Sequence, residues 1–146
     1  IMTTGKAYLD TRQALEDLGI DEERAKALGI RLYKVGVTWP LEAEGARRFA
    51  EGLQEVIVVE EKRSNLEDQL LRILYHLPAD RRPVVIGKAD ETGRIILPSE
   101  GELTPTGVAM VIAGRLMKHQ GDSPELRQRL ARLEAKEKLL NAPPPK

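Results

Sequence analysis

Residues 29–63 read GIRLYKVGVTWPLEAEGARRFAEGLQEVIVVEEKR, and this stretch decides the fold class. Ile30, Leu32, Val35 and Val37 form one β-rich run. Val56 to Val59 form a second, apolar at every position. Between them lies a helical stretch with Pro40 near its start and Gly52 near its end. Two apolar strands joined by a helix lie parallel, because a parallel pair needs a crossover of this length. A strand apolar at consecutive positions needs cover on both faces, the habit of parallel sheets held between helix layers. The second strand ends in Glu60, Glu61, Lys62 and Arg63. In open α/β sheets ligands or partners sit at that end.

Upstream, Ile1 to Thr3 reads as the tail of a strand, and Gly5 allows a sharp turn into a helix over about residues 7–18. Tyr8, Leu9, Ala14, Leu15 and Leu18 supply its apolar stripe. Gly19 ends it, and Asp21 caps a short helix over residues 22–28 that Gly29 closes. Downstream, Ser64 and Glu67 have capping-box spacing. They open a helix to about Leu77, with Leu66, Leu70, Leu71, Leu74 and Tyr75 expected inward. Val84 to Gly87 reads as another strand. Asp90-Glu91-Thr92-Gly93 has hairpin-turn chemistry, with residues 94–97 as the returning arm. Thr104-Pro105 is a cap followed by proline at the first helical position, opening a helix to about His119. From Ser123 on, Leu126, Leu130, Leu133 and Leu140 stripe a highly charged helix. That helix is expected to be a peripheral arm, packed on a neighbouring domain or on its own sheet.

The 146 residues suit one domain with a real core. With 41% apolar and 32% charged residues, the composition is that of a soluble globular protein. The formal net charge is zero, so no basic excess points to nucleic acid. Cysteine is absent, which removes disulfides, thiolate nucleophiles, iron–sulfur ligation and cysteine zinc sites from this chain. A reducing, cytoplasmic setting fits. No run approaches the roughly 18 apolar residues of a membrane span. The opening Ile-Met-Thr-Thr-Gly-Lys lacks signal-peptide order, and Asn-Ala-Pro-Pro-Pro-Lys at the other end reads as a stiff extended linker. Both ends read as cuts, so the chain is expected to be a piece of a longer polypeptide. The expected organisation is an α/β domain over residues 1–120, a helical arm over 121–140 and a Pro-rich linker over 141–146.

Chemistry is fainter. Thr3-Thr4-Gly5-Lys6 lies between a strand and a helix, where a phosphate cradle can form. A Walker loop needs a second glycine and a hydroxyl residue after the lysine; here Ala7 follows Lys6, so a tight turn is the better reading. Glu60-Glu61 invites an acid–base pair, but adjacent strand side chains point to opposite faces. A strand end neutralised by Lys62 and Arg63 at a domain interface fits better. Trp39, the only tryptophan, lies in Thr38-Trp39-Pro40-Leu41 and reads as an interface or helix-entry staple. His76 and His119 have no partner at metal-ligand spacing, and each reads as a cation at a helix end. No catalytic, cofactor-binding or metal-binding residue is assigned. The interface candidates are Thr38, Trp39, Pro40, Leu41, Glu60, Glu61, Lys62 and Arg63.

The order Val35-Gly36-Val37-Thr38-Trp39-Pro40-Leu41, helix, Val56-Ile57-Val58-Val59-Glu60-Glu61 resembles the C-terminal domain of transketolase-like thiamine diphosphate enzymes. More narrowly, the chain resembles the indolepyruvate ferredoxin oxidoreductases. The motifs are Gly5-Lys6-Ala7-Tyr8-Leu9-Asp10, residues 29–36, Thr38 to Glu42, Val59 to Arg63, Glu67-Asp68-Gln69-Leu70 and Leu97-Pro98-Ser99-x-Gly101-Glu102-Leu103. The resemblance implies a three-layer α/β/α sandwich around an about five-stranded, mostly parallel sheet with one antiparallel strand. It implies a parent enzyme that oxidatively decarboxylates 2-oxo acids to acyl-CoA and reduces ferredoxin. Thiamine diphosphate, magnesium, iron–sulfur clusters and coenzyme A would belong to that parent, and none to this domain. The domain itself would be a non-catalytic assembly element. It would pack on neighbouring thiamine diphosphate-binding domains in a homo-oligomer, without nucleic acid or membrane. The alternatives are the same domain of another thiamine diphosphate enzyme, or an independent small α/β ligand-binding regulator.

Overall fold

The computed structural model describes residues 1–144. Its elements run β1 (Met2–Thr3), α1 (Gly5–Asp17), α2 (Glu22–Leu28), β2 (Tyr33–Lys34), α3 (Ala43–Ala50), β3 (Glu55–Val59), α4 (Asn65–Leu74), β4 (Val84–Ile86), α5 (Pro105–Gln120) and α6 (Pro124–Leu140). Four strands form one sheet in the order β2-β1-β3-β4. Every pairing is parallel, with Met2 opposite both Tyr33 and Val58, and Val56 opposite Val85.

The apolar run at Val56 to Val59 is buried at every position. Its alternation explains why. Ile57 and Val59 join the core with Ala7, Ala14 and Leu15 of α1 and Val108, Ala109 and Ile112 of α5. Val56 and Val58 join the opposite core with Ala46 and Phe49 of α3 and Leu66, Leu70 and Leu74 of α4. Two cores on two faces of one sheet make the three-layer α/β/α arrangement. Each valine or isoleucine of β3 contributes about 1.5–3 kcal/mol on burial, so a polar residue on either face of the strand would be felt.

Among the described residues four strands form where about five were expected, and none is antiparallel. The glycine-bounded turn at Asp90 closes, but the returning arm makes only an isolated antiparallel bridge, Ala89 to Ile95. The Asp90 carboxylate accepts hydrogen bonds from the Thr92 and Arg94 amides, beside the backbone bonds Asp90 N to Arg94 O at 2.9 Å and Ile96 N to Lys88 O at 2.9 Å, and the pairing goes no further. The first apolar run also shortens to Tyr33–Lys34. Its one sheet neighbour, β1, is itself two residues long, and a ladder extends no further than its partner.

Three residues expected inward are exposed: Leu9, Leu71 and Tyr75. The buried stripes are narrower than the apolar lettering: Ala7, Thr11, Ala14 and Leu15 on α1, and Leu66, Leu70 and Leu74 on α4. The last helix docks at home. Leu126, Leu130 and Leu133 pack on the core that contains α5, while Leu139 and Leu140 stay exposed. Of the Pro-rich tail, Pro145 and Lys146 lie outside the described residues.

Candidate functional site

All four strands point their C-terminal ends to one edge, the place where a parallel sheet gathers functional groups. The first corner lies where β1 turns into α1. Gly5 takes φ of 56°, a left-handed value that glycine adopts without a Cβ clash, and Thr4 Oγ1 donates to Val35 O at 2.8 Å. The turn presents Lys6. Its ammonium reaches Asp10 Oδ2 at 3.0 Å, Glu102 Oε1 at 3.2 Å, Glu61 Oε1 at 3.4 Å and the Leu103 carbonyl at 3.3 Å. Asp10, first among these partners, holds the Lys6 pKa above the ordinary lysine range. A lysine so engaged has no free donor for an incoming phosphate.

The second corner lies where β3 gives way to α4. Glu60 is buried, and its carboxylate accepts from the backbone N–H of Leu66 at 2.8 Å and of Glu67 at 3.0 Å. These are the orphan amides of a helix first turn, and a carboxylate suits the positive end of the helix dipole. Ser64 occupies the cap position without a side-chain cap bond. The expected capping box is thus replaced by Glu60. Glu67, freed from that role, turns to β4 and accepts from Lys88 N at 3.1 Å. Lys88 Nζ donates to the Glu60 carbonyl. Burial raises the Glu67 pKa above the ordinary carboxylate value and lowers that of Lys88. The Glu67 carboxylate also fills the space where a Cβ on Gly87 would stand.

The third corner is the Thr38–Leu41 loop. Gln69 staples it with both ends of its amide: Oε1 accepts from Leu41 N at 2.7 Å, and Nε2 donates to Thr38 O at 2.8 Å. Leu41 is buried in the α3–α4 core. Pro40, after a cis bond, is exposed. Trp39 and Val37 stand out, 71% and 68% exposed.

The eight interface candidates therefore separate. Thr38, Trp39, Pro40, Lys62 and Arg63 belong to loops at the surface of this edge. Leu41 and Glu60 are buried and structural. Glu61 is consumed by Lys6, not by Lys62 or Arg63, which make no ion pair among the described residues. Lys62 is exposed, and its backbone takes a left-handed φ of 54°. From the sequence, Lys6 is visible in a strand-to-helix turn and Glu67 at capping-box spacing, but neither with the role it has here, and Gln69 and Lys88 carry no assigned role.

The clefts lie elsewhere. One of about 120 Å³ sits at the opposite edge of the sheet, beside Ile1, Glu55, Arg115 and His119. There Glu55 accepts from Arg115 Nε at 3.0 Å and meets His119 Nε2 at 3.0 Å, so His119 has an acidic partner that its sequence neighbours did not offer. No group of three or more His, Cys, Asp and Glu side chains able to hold a metal ion occurs among the described residues. With Lys6 engaged by carboxylates, these residues do not fit the pyrophosphate and magnesium of thiamine diphosphate. The lack of cysteine removes thiolate ligation of an iron–sulfur cluster. No helix among the described residues is long and apolar enough to cross a membrane.

Residues 1–139 match the family model described as "Indolepyruvate oxidoreductase domain". No curated protein and no solved structure matches the chain.

Proposed function

The chain belongs to the indolepyruvate oxidoreductase domain family, and from that premise we propose that it is a non-catalytic assembly domain of a 2-oxo acid:ferredoxin oxidoreductase. The parent enzyme would oxidatively decarboxylate a 2-oxo acid to an acyl-CoA and reduce ferredoxin. Thiamine diphosphate, magnesium, iron–sulfur clusters and coenzyme A would be carried by other parts of that enzyme. This domain would support them by packing, within a homo-oligomer of cytoplasmic location.

One observation carries the reading. At the strand edge where a ligand would sit, Lys6, Glu60, Glu61 and Glu67 are engaged within the chain, while Trp39 in the neighbouring loop is exposed. A large aromatic held out by a stapled loop is an anchor for a partner surface rather than a wall of a pocket.

The test is Trp39→Ala in the full-length oxidoreductase. Subunit assembly and turnover should fall together, with the KM for the 2-oxo acid unchanged. The chain on its own should bind no thiamine diphosphate and turn over no substrate. Unchanged assembly and turnover in the variant would refute the interface; turnover by the chain alone would refute the non-catalytic role.

A further inference from the structure

Residues 60–68 carry four carboxylates and two cations, and the fold treats them unequally. Glu60 caps α4, Glu61 pairs with Lys6, and Glu67 takes the Lys88 amide. Only Asp68, exposed in the first turn of α4, is left without such a partner among the described residues. Lys62 and Arg63 are both exposed and make no ion pair among the described residues. The folding of the acids inward leaves the cations outward. The same loop lies against the Trp39 loop, since Asn65 Nδ2 and Gln69 Nε2 both donate to Thr38 O.

The result is a small surface with a composite character: an exposed indole and valine at Trp39 and Val37, flanked by two free cations. The turn that displays Lys62 holds a non-glycine residue at positive φ, a conformation that costs on the order of 1 kcal/mol and needs support from its surroundings. We infer that this corner docks a carboxylate-bearing surface of a neighbouring domain of the same oxidoreductase, with Trp39 as the apolar anchor and Lys62 and Arg63 as the charge match. The inference rests on the assembly role proposed above and adds the chemistry of the partner. Charge complementarity of this kind sets register and orientation more than raw affinity. A nucleic acid is the poorer fit. It asks for a basic stripe along its backbone, whereas this chain has no net charge and only two free cations at the corner.

The experiment is amide exchange of the peptides covering Thr38–Leu41 and Lys62–Asn65 in the intact oxidoreductase, at about 0.05 M and about 0.5 M NaCl. Protection is expected at low salt, with exchange rising roughly fivefold at high salt as the surface pairs are screened. The double variant Lys62→Glu, Arg63→Glu should exchange at the fast rate at both salts, with its thermal unfolding unchanged. Trp39→Ala should speed exchange at low salt. If the peptides are protected but indifferent to salt and to charge reversal, the acidic partner is overturned while the docking face stands. If they are unprotected throughout, the proposed assembly role of this edge falls as well. Protection that appears only on adding a single-stranded oligonucleotide would overturn a protein partner.

Discussion

Glu60, the residue that follows β3, caps the helix that begins five residues later, its carboxylate 2.8 Å from the backbone nitrogen of Leu66. Strand end and helix start are thereby tied by one buried side chain. Two amides depend on it. Glu60→Ala should cost about 2–3 kcal/mol, since the cap is lost and the amides are left without their acceptor. Glu60→Gln keeps one acceptor oxygen and should cost about half as much. Urea unfolding of the two variants checks the order; equal loss in both would show that the geometry is not what matters.

Glu67 and Lys88 predict a dependence on pH. Burial raises the folded pKa of Glu67 above its ordinary 4.5. The folded chain then keeps a proton that the unfolded chain has released, so this group's contribution falls as pH rises from 4.5 through the raised folded value. Glu67→Gln removes the titration while its amide oxygen can still accept from Lys88 N. The variant should show a flatter stability profile over that window and match or exceed the parent at neutral pH. A parent profile that instead rises through the window would contradict the burial of this carboxyl.

Asp90 has the opposite sign. The Thr92 hydroxyl first, then the Thr92 and Arg94 amides, lower its pKa from 3.8 to about 2. Its contribution is present above the ordinary value of 3.8 and is lost as pH falls towards about 2. Thr92→Val deletes the first of these donors. Carboxyl NMR of Asp90 should then report a titration moved back towards the ordinary aspartate range, and no movement would rule out the hydroxyl as the main cause.

Gln69 holds the Trp39 loop with two hydrogen bonds of opposite sense. Gln69→Glu can accept from Leu41 N but cannot donate to Thr38 O, and Gln69→Ala can do neither. Fluorescence anisotropy of Trp39, the only tryptophan of the chain, should drop modestly in the first variant and further in the second. Stability should fall by about 1–2 kcal/mol at most, because the loop is exposed. Unaltered anisotropy in Gln69→Ala would mean that Leu41 burial and the Asn65 bond to Thr38 O hold the loop without Gln69.

Thr3 is fully buried and its hydroxyl has no hydrogen-bond partner among the described residues. Burying a hydroxyl unpaired is unfavourable, and valine has nearly the same shape without it. Thr3→Val should therefore raise stability by about 1 kcal/mol. A loss of stability in thermal unfolding would reveal a partner for that hydroxyl.

The layers of the chain are legible in its sequence alone. Four apolar letters in a row at Val56 to Val59 require cover on both faces, and proline and glycine mark where the helix between the strands begins and ends. Thr104-Pro105 and Asp21 announced their helices because a cap works within one turn, among neighbours in sequence. Strand number was not readable, since a ladder exists only where a partner of matching length arrives, and the arm after Asp90 finds one contact at Ala89. The site was least readable of all. Lys6 meets Glu61 from 55 positions away and the Leu103 carbonyl from 97, and no local pattern encodes such meetings. Glu60 looked like half of a salt-bridged pair because Lys62 and Arg63 stand next to it in the chain. Only folding, by placing the α4 amides within reach of its carboxylate, decided that the acids turn inward and the cations outward.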